Sequence, residues 1–229
     1  MTSRRSIAGF TLVELLVALF AMAILAVMSW RGLDGMARAQ ALTQARSDEV
    51  LALQVGLSQW SADLDALTEL QVLPAIDWNG RVLRITRRSS TNAGEGVIVA
   101  AWSRRVVNGA ATWLRWQSAP STTREQLDQA WHQADIWSQN AGDEERRREV
   151  AVTPLQEWQV FFFRGGAWTN PMSSDVTGTG GTPQSPGPPG TSSVPDGVRL
   201  VLILPPGQAI SGTLTRDWAR PTLGGGKTA

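Results

Sequence analysis

Apolar and polar positions alternate in three different ways along the chain. From Gly9 to Trp30, GFTLVELLVALFAMAILAVMSW, about twenty apolar residues run on with one carboxylate among them, Glu14. Such a run can cross a hydrocarbon core about 30 Å thick and exceeds the apolar core of about 7–15 residues in a removable secretory signal. No proline occurs before Pro74, so the helical pattern is predicted to continue to Leu73. Within it Val50, Leu53, Leu57, Trp60, Leu64 and Leu67 recur at spacings of three and four, which is one apolar stripe, with Gln54, Ser58, Asp63 and Asp65 assigned to the wet side. A helix from Phe10 to about Leu70 would be roughly 90 Å long, more than a small domain needs for itself. Gly32 and Gly35, just past the apolar run, mark where it could loosen.

Beyond Pro74 the period drops to two. Arg81–Arg87, Gly96–Val107 and Thr112–Trp116 read as strands, with a two-residue hairpin at Asn108-Gly109 and a looser turn at Asn92–Gly96. They form an antiparallel meander expected to lie on the apolar stripe of the helix. Thr122–Gln139 reads as an amphipathic helix with capping-box spacing at Thr122 and Glu125 and an apolar side of Leu127, Trp131, Ala134 and Ile136 or Trp137. Asp143–Glu149, DEERRRE, reads as a solvated connector. A second group of strands begins at Val150–Val152 and continues through Glu157–Phe163, a turn at Gly165-Gly166, Ala167-Trp168, a central Gly197–Leu204 and an edge at Thr213–Ala219. Met172–Pro195, rich in Gly, Pro, Ser and Thr, is expected to be a mobile loop, and Gly224–Ala229 a frayed tail.

Composition removes several classes of function. The formal charge is +1, and no basic stripe interleaved with aromatics points to nucleic acid. There is no cysteine and one histidine, so a zinc site lacks ligands, and His132 reads as a polar surface group on the short helix. Neither a G-x-S-x-G elbow nor S-x-x-K occurs, and the sole lysine, Lys227, is in the tail. Asp63 and Asp65 are two apart on a helix and do not face one another, which removes a glycosidase dyad and leaves only a weak calcium signal. No catalytic residue, cofactor, metal or small-molecule substrate is assigned. The eleven tryptophans, in a chain without tyrosine, are expected to supply the aromatic core. Trp113 and Trp116 should point to opposite faces of a strand, and Trp158 and Trp168 could meet across a hairpin.

The chemistry therefore concentrates at Glu14. An ionised group inside an apolar span costs several kcal/mol unless it is paired. Cleavage at the Gly9–Phe10 bond would give Phe10 a free, largely protonated α-amino group with a reference pKa of roughly 7.7–8. That ammonium and Glu14 sit one turn apart, so the amine of one subunit could meet the carboxylate of a neighbour as helices stack. Arg4 and Arg5 keep the leader cytoplasmic by the positive-inside rule and send the remainder across the membrane.

The segment Gly9-Phe10-Thr11-Leu12-Val13-Glu14, behind a short basic leader, closely resembles the processing site of the type IV pilin and type II secretion pseudopilin superfamily. That resemblance implies cutting after Gly9 by a prepilin peptidase, N-methylation of Phe10 and an assembly charge pair between Glu14 and Phe10. Across the rest of the chain SWRGLDGMARAQ (29–40), LALQVGLSQWSADLDAL (51–67), LQEWQVFFFRGGAW (155–168) and VPDGVRLVLILPPG (194–207) look like the J-type minor pseudopilin family.

The fold implied is α+β and pilin-like: a leader (1–9), the membrane half of a long helix (10–30), its periplasmic half (31–73), a β-rich periplasmic domain on antiparallel sheets (74–223) with the loop 172–195, and a tail (224–229). The function implied is structural: a single-pass inner-membrane subunit of the periplasmic pseudopilus tip, needed for filament initiation and export of folded proteins. The partners implied are I- and K-type minor pseudopilins, other pseudopilins, the peptidase and inner-membrane lipid. The alternatives are a minor pilin of a type IV pilus and, behind it, a membrane-anchored periplasmic binding module.

Overall fold

The structure is a computed structural model that describes residues 10–70, 73–89, 96–172 and 194–221. The leader with Gly9, the tail 224–229 and nearly all of the loop 172–195 lie outside the described residues. The chain divides into two compact units, Met1–Asp48 and Glu49–Ala229.

In the first unit the chain is helical from Leu12 onward, through Gly32 and Gly35 without a break. This helix, α1 (Leu12–Asp65), extends into the second unit. Its first turns expose every large apolar side chain from Leu12 to Trp30 on all sides. It is long and apolar enough to cross a membrane, with a mean hydropathy of 2.5 in its most apolar window of 18 residues.

The second unit has three layers. After α1 come β1 (Ile76–Trp78), β2 (Val82–Arg88), β3 (Val97–Val107), β4 (Ala110–Gln117), α2 (Arg124–Asn140), the short α3 (Asp143–Arg147) and β5 (Glu149–Pro154). β6 (Glu157–Arg164), β7 (Ala167–Thr169), β8 (Gly197–Leu204) and β9 (Gly212–Ala219) follow. One antiparallel sheet has the order β1-β2-β3-β4-β5 and the other β7-β6-β8-β9. One face of the first sheet packs Val82, Val99, Ala101, Leu114 and Trp116 against Leu127, Trp131, Ala134 and Trp137 of α2. Its other face packs Ile85, Trp102 and Trp113 against Leu53, Trp60 and Leu64 of α1 and against Trp158, Leu200 and Leu202 of the second sheet.

Much of this follows from the pattern of the sequence. The stripe Leu53, Trp60 and Leu64 is the buried side of α1. Asn108 and Gly109 both take positive φ, 50° and 81°, as a tight turn twisted to suit its strands requires. Trp113 and Trp116 face opposite cores as the alternation predicts. β8 is central and β9 is an edge.

Several expectations need correction. Helix α1 stops at Asp65 rather than Leu73, because β2 captures the next residues: Thr68 N–H donates to the Thr86 carbonyl (3.0 Å) and Arg88 N–H to that of Ala66 (3.1 Å). The segment 31–73 is therefore helical only to Asp65. The chain then adds the short strand β1, which the pattern did not reveal. Helix α2 is capped by Thr123 and Gln126, not by Thr122 and Glu125, and Ile136 is exposed while Trp137 is buried. Val150–Val152 belongs to β5 of the first sheet, paired with β4, and not to the second group of strands. The run Asp143–Glu149 is not merely a solvated connector: it forms α3, and Glu149 accepts from Trp137 Nε1 (2.6 Å) and from Arg105. Trp168 meets Phe163, with ring centroids 5.2 Å apart, whereas Trp158 packs on Trp78 at 4.6 Å.

Gly56 fixes how closely β5 crosses α1. A Cβ at this position would lie 2.2 Å from Val152 Cγ1, well inside van der Waals contact, so only glycine admits the strand.

Candidate functional site

Glu14 occupies the first turn of α1, three residues after Thr11, which precedes the helix. Its Oε2 accepts from the Thr11 N–H (3.0 Å) and the Thr11 hydroxyl (3.0 Å), and the Glu14 N–H donates to Thr11 Oγ1 (3.3 Å). This is a reciprocal capping box built from T-x-x-E, and it meets helix donors that otherwise have no partner. The carboxylate also lies at the positive end of the helix dipole. The sequence reading passed over this local role. Thr11 and Glu14 are the signal that could have revealed it. Phe10 stands beside this cap, 86% exposed. Gly9 lies outside the described residues. One end of an apolar helix therefore gathers Phe10, Thr11 and Glu14.

In the second unit the carboxylate of Asp63 has no exposed surface. The pattern of the helix predicts it on the wet side; it is instead buried and accepts five side-chain hydrogen bonds. Arg115 grips it in a fork, Nε to Oδ2 and Nη2 to Oδ1, both 2.8 Å. Arg87 Nη1 donates to Oδ1, Trp102 Nε1 to Oδ2 (2.9 Å) and Gln59 Nε2 to Oδ1 (2.9 Å). The spacing contained the clue, since residue 63 is three beyond Trp60 and so lies within the apolar stripe. One helix carboxylate thus ties α1 to β2, β3 and β4.

Both Asp63 oxygens already meet guanidinium, indole and amide donors, and Asp65 Oδ1 accepts from Trp218 Nε1 at 2.8 Å. Among the described residues no three His, Cys, Asp or Glu side chains converge on a metal position. His132 is exposed on α2.

On the outer face of the second sheet Arg199 holds Asp217 through two bonds of 2.7 Å. Those bonds keep the Asp217 carboxyl below its ordinary pKa and raise that of Arg199. Arg199 also lies 4.3 Å over the Trp168 ring.

Comparison with known proteins finds a motif that covers the first of these features. Residues 4–30 match the prokaryotic N-terminal methylation motif. A chain of the crystal structure of the GspK-GspI-GspJ complex from the enterotoxigenic Escherichia coli type 2 secretion system is similar at 16% identity and a TM-score of 0.44. That likeness covers 75% of this chain and 96% of the other. Among curated proteins none matches the chain.

Proposed function

We propose that this chain is a structural subunit of the type IV pilin and pseudopilin superfamily. Within it, we read the chain as a minor pseudopilin of the J type, acting at the tip of a type II secretion pseudopilus. The observation that carries the reading is the methylation motif over residues 4–30, with Phe10 and Glu14 at the start of an apolar helix. The α+β build, with the end of a long helix seated among antiparallel sheets, is the architecture expected of such a subunit.

In this reading prepilin peptidase cuts after Gly9 and Phe10 is N-methylated. The membrane half of α1 anchors the chain in the inner membrane, single-pass, and residues beyond Trp30 are periplasmic. The ammonium on Phe10 then competes with Thr11 for a Glu14 carboxylate, its own or a neighbour's. Helices stacked head to tail make contacts that do not close, which is how filaments grow. The protein works by being assembled and turns over no substrate.

Co-purification of the full chain with I- and K-type minor pseudopilins tests the reading. A stable complex at micromolar concentration is expected. No binding to either, together with incorporation into a type IV pilus, would move the chain to the minor-pilin class.

A further inference from the structure

We propose that the groove at the far end of the β3–β4 hairpin docks an acidic, extended peptide segment of a protein partner. The groove has a volume of about 650 Å³ and lies between the end of β3, the end of α2 and α3 with the start of β5.

Charge selects the occupant. Arg104, Arg105 and Arg146 line the groove with one carboxylate, Glu149, which Arg105 holds, and Arg146 meets Asp143 at its rim, so the groove keeps an excess of one positive charge. The whole chain has a formal charge of only +1, so this is a local concentration of arginine. Two of the three guanidinium groups are fixed in advance. Arg105 donates through Nη1 to the Trp137 carbonyl (3.2 Å) and through Nη2 to Glu149, and Arg104 Nε donates to the Leu155 carbonyl (3.1 Å). Donors already held in place lose less entropy when a partner arrives.

The third arginine is available. Among the described residues Arg146 makes one ion pair, with Asp143 at 3.7 Å, and both side chains are more than half exposed, so the pair is weak and easily exchanged for an incoming carboxylate. Asn108 and Asn140 add amides that can meet a peptide backbone. Trp137 is wholly buried, so its ring offers no open face for a nucleic-acid base to stack on. An acidic peptide matches this combination of charge and amides. The inference rests on the groove alone and holds whether or not the chain is built into a filament.

The test uses the full chain in detergent micelles, with fluorescein-labelled hexaglutamate followed by anisotropy at low ionic strength. Saturable binding is expected in the unaltered chain. Arg146→Gln should weaken it, and Arg104→Gln with Arg146→Gln should weaken it about tenfold or more. Arg124→Gln with Arg216→Gln removes the same charge elsewhere and should change affinity by less than about twofold. Because Arg146 is exposed, its single variant keeps the test readable should the double variant not fold. Non-saturable binding, or equal weakening in both double variants, would overturn the proposal. So would displacement by inorganic phosphate as readily as by unlabelled hexaglutamate, since that would make the groove a simple anion site.

Discussion

Replacing Asp63 with asparagine leaves the shape of the core almost unchanged and removes the only carboxylate between two nearly buried arginines. Arg87 and Arg115 have side chains 5% and 11% exposed, and Asp63 has none. Breaking a buried ion pair from one side costs about 3–5 kcal/mol, because the remaining charge stays desolvated and unpaired. An amide in place of the carboxylate also turns a hydrogen-bond donor toward guanidinium groups that can only donate. Set against a domain stability of about 5–15 kcal/mol, this is a large fraction. At about 2–4 °C per kcal/mol for a domain of this size, the melting temperature should fall by roughly 10 °C.

The assay is guanidinium unfolding of the full chain in micelles followed by tryptophan fluorescence, since Trp60, Trp102 and Trp113 surround Asp63's helix turn and pack on one another. The companion variant carries Asp63→Leu, Arg87→Met and Arg115→Met together. With all three charges gone it should recover most of the loss, because buried ion clusters can often be replaced by apolar groups at little cost. A loss below about 1 kcal/mol in Asp63→Asn would refute the reasoning. So would a triple variant no more stable than the single one, because the damage would then not come from stranded charge.

Three further outcomes are expected. Gly56→Ala should destabilise by about 1–3 kcal/mol through the clash with Val152, and Gly56→Ala with Val152→Ala should recover most of it by denaturant unfolding. Glu14→Gln keeps the capping box with Thr11, which glutamine also satisfies, but removes the charge; Glu14→Ala removes both. Both variants should fold and both should enter filaments poorly, and normal incorporation of Glu14→Gln would show that the residue acts as a cap and not as a counter-ion. Asp217 has a carboxyl pKa lowered in the folded state, so its contribution is present above the unfolded carboxylate range near pH 4 and is lost as pH falls through the folded value. Comparing Asp217→Asn with the unaltered chain across pH should therefore show a stability gap at pH 7 that closes in acid.

The long-range plan of the molecule was legible because simple periods encode it. The stripe at Leu53, Trp60 and Leu64, the Asn108-Gly109 turn and the apolar alternation of Gly197–Leu204 each force one local structure. What was not legible depended on tertiary partners. Asp63 reads as a solvent-facing carboxylate because nothing near it in sequence reveals Arg87 and Arg115, which reach it from two strands. Helix α1 ends earlier than the pattern predicts because backbone hydrogen bonds to β2, one accepted by Thr86 and one donated by Arg88, and not a proline, terminate it. Val150–Val152 reads as part of the second group of strands because its partner, β4, precedes it by two helices. At the N-terminus Phe10 and Glu14 are readable as chemistry, and the T-x-x-E spacing of Thr11 and Glu14 carries the cap as well.

We propose that a peptidase exposes Phe10 so that its amine can serve assembly. The N-terminal sequence and intact mass of the protein isolated from its native envelope test this at its source. A chain that begins at Phe10, carries one methyl group on its amine and retains the apolar helix through Trp30 is expected. A chain that still begins at Met1, or one that begins beyond Trp30, would contradict it.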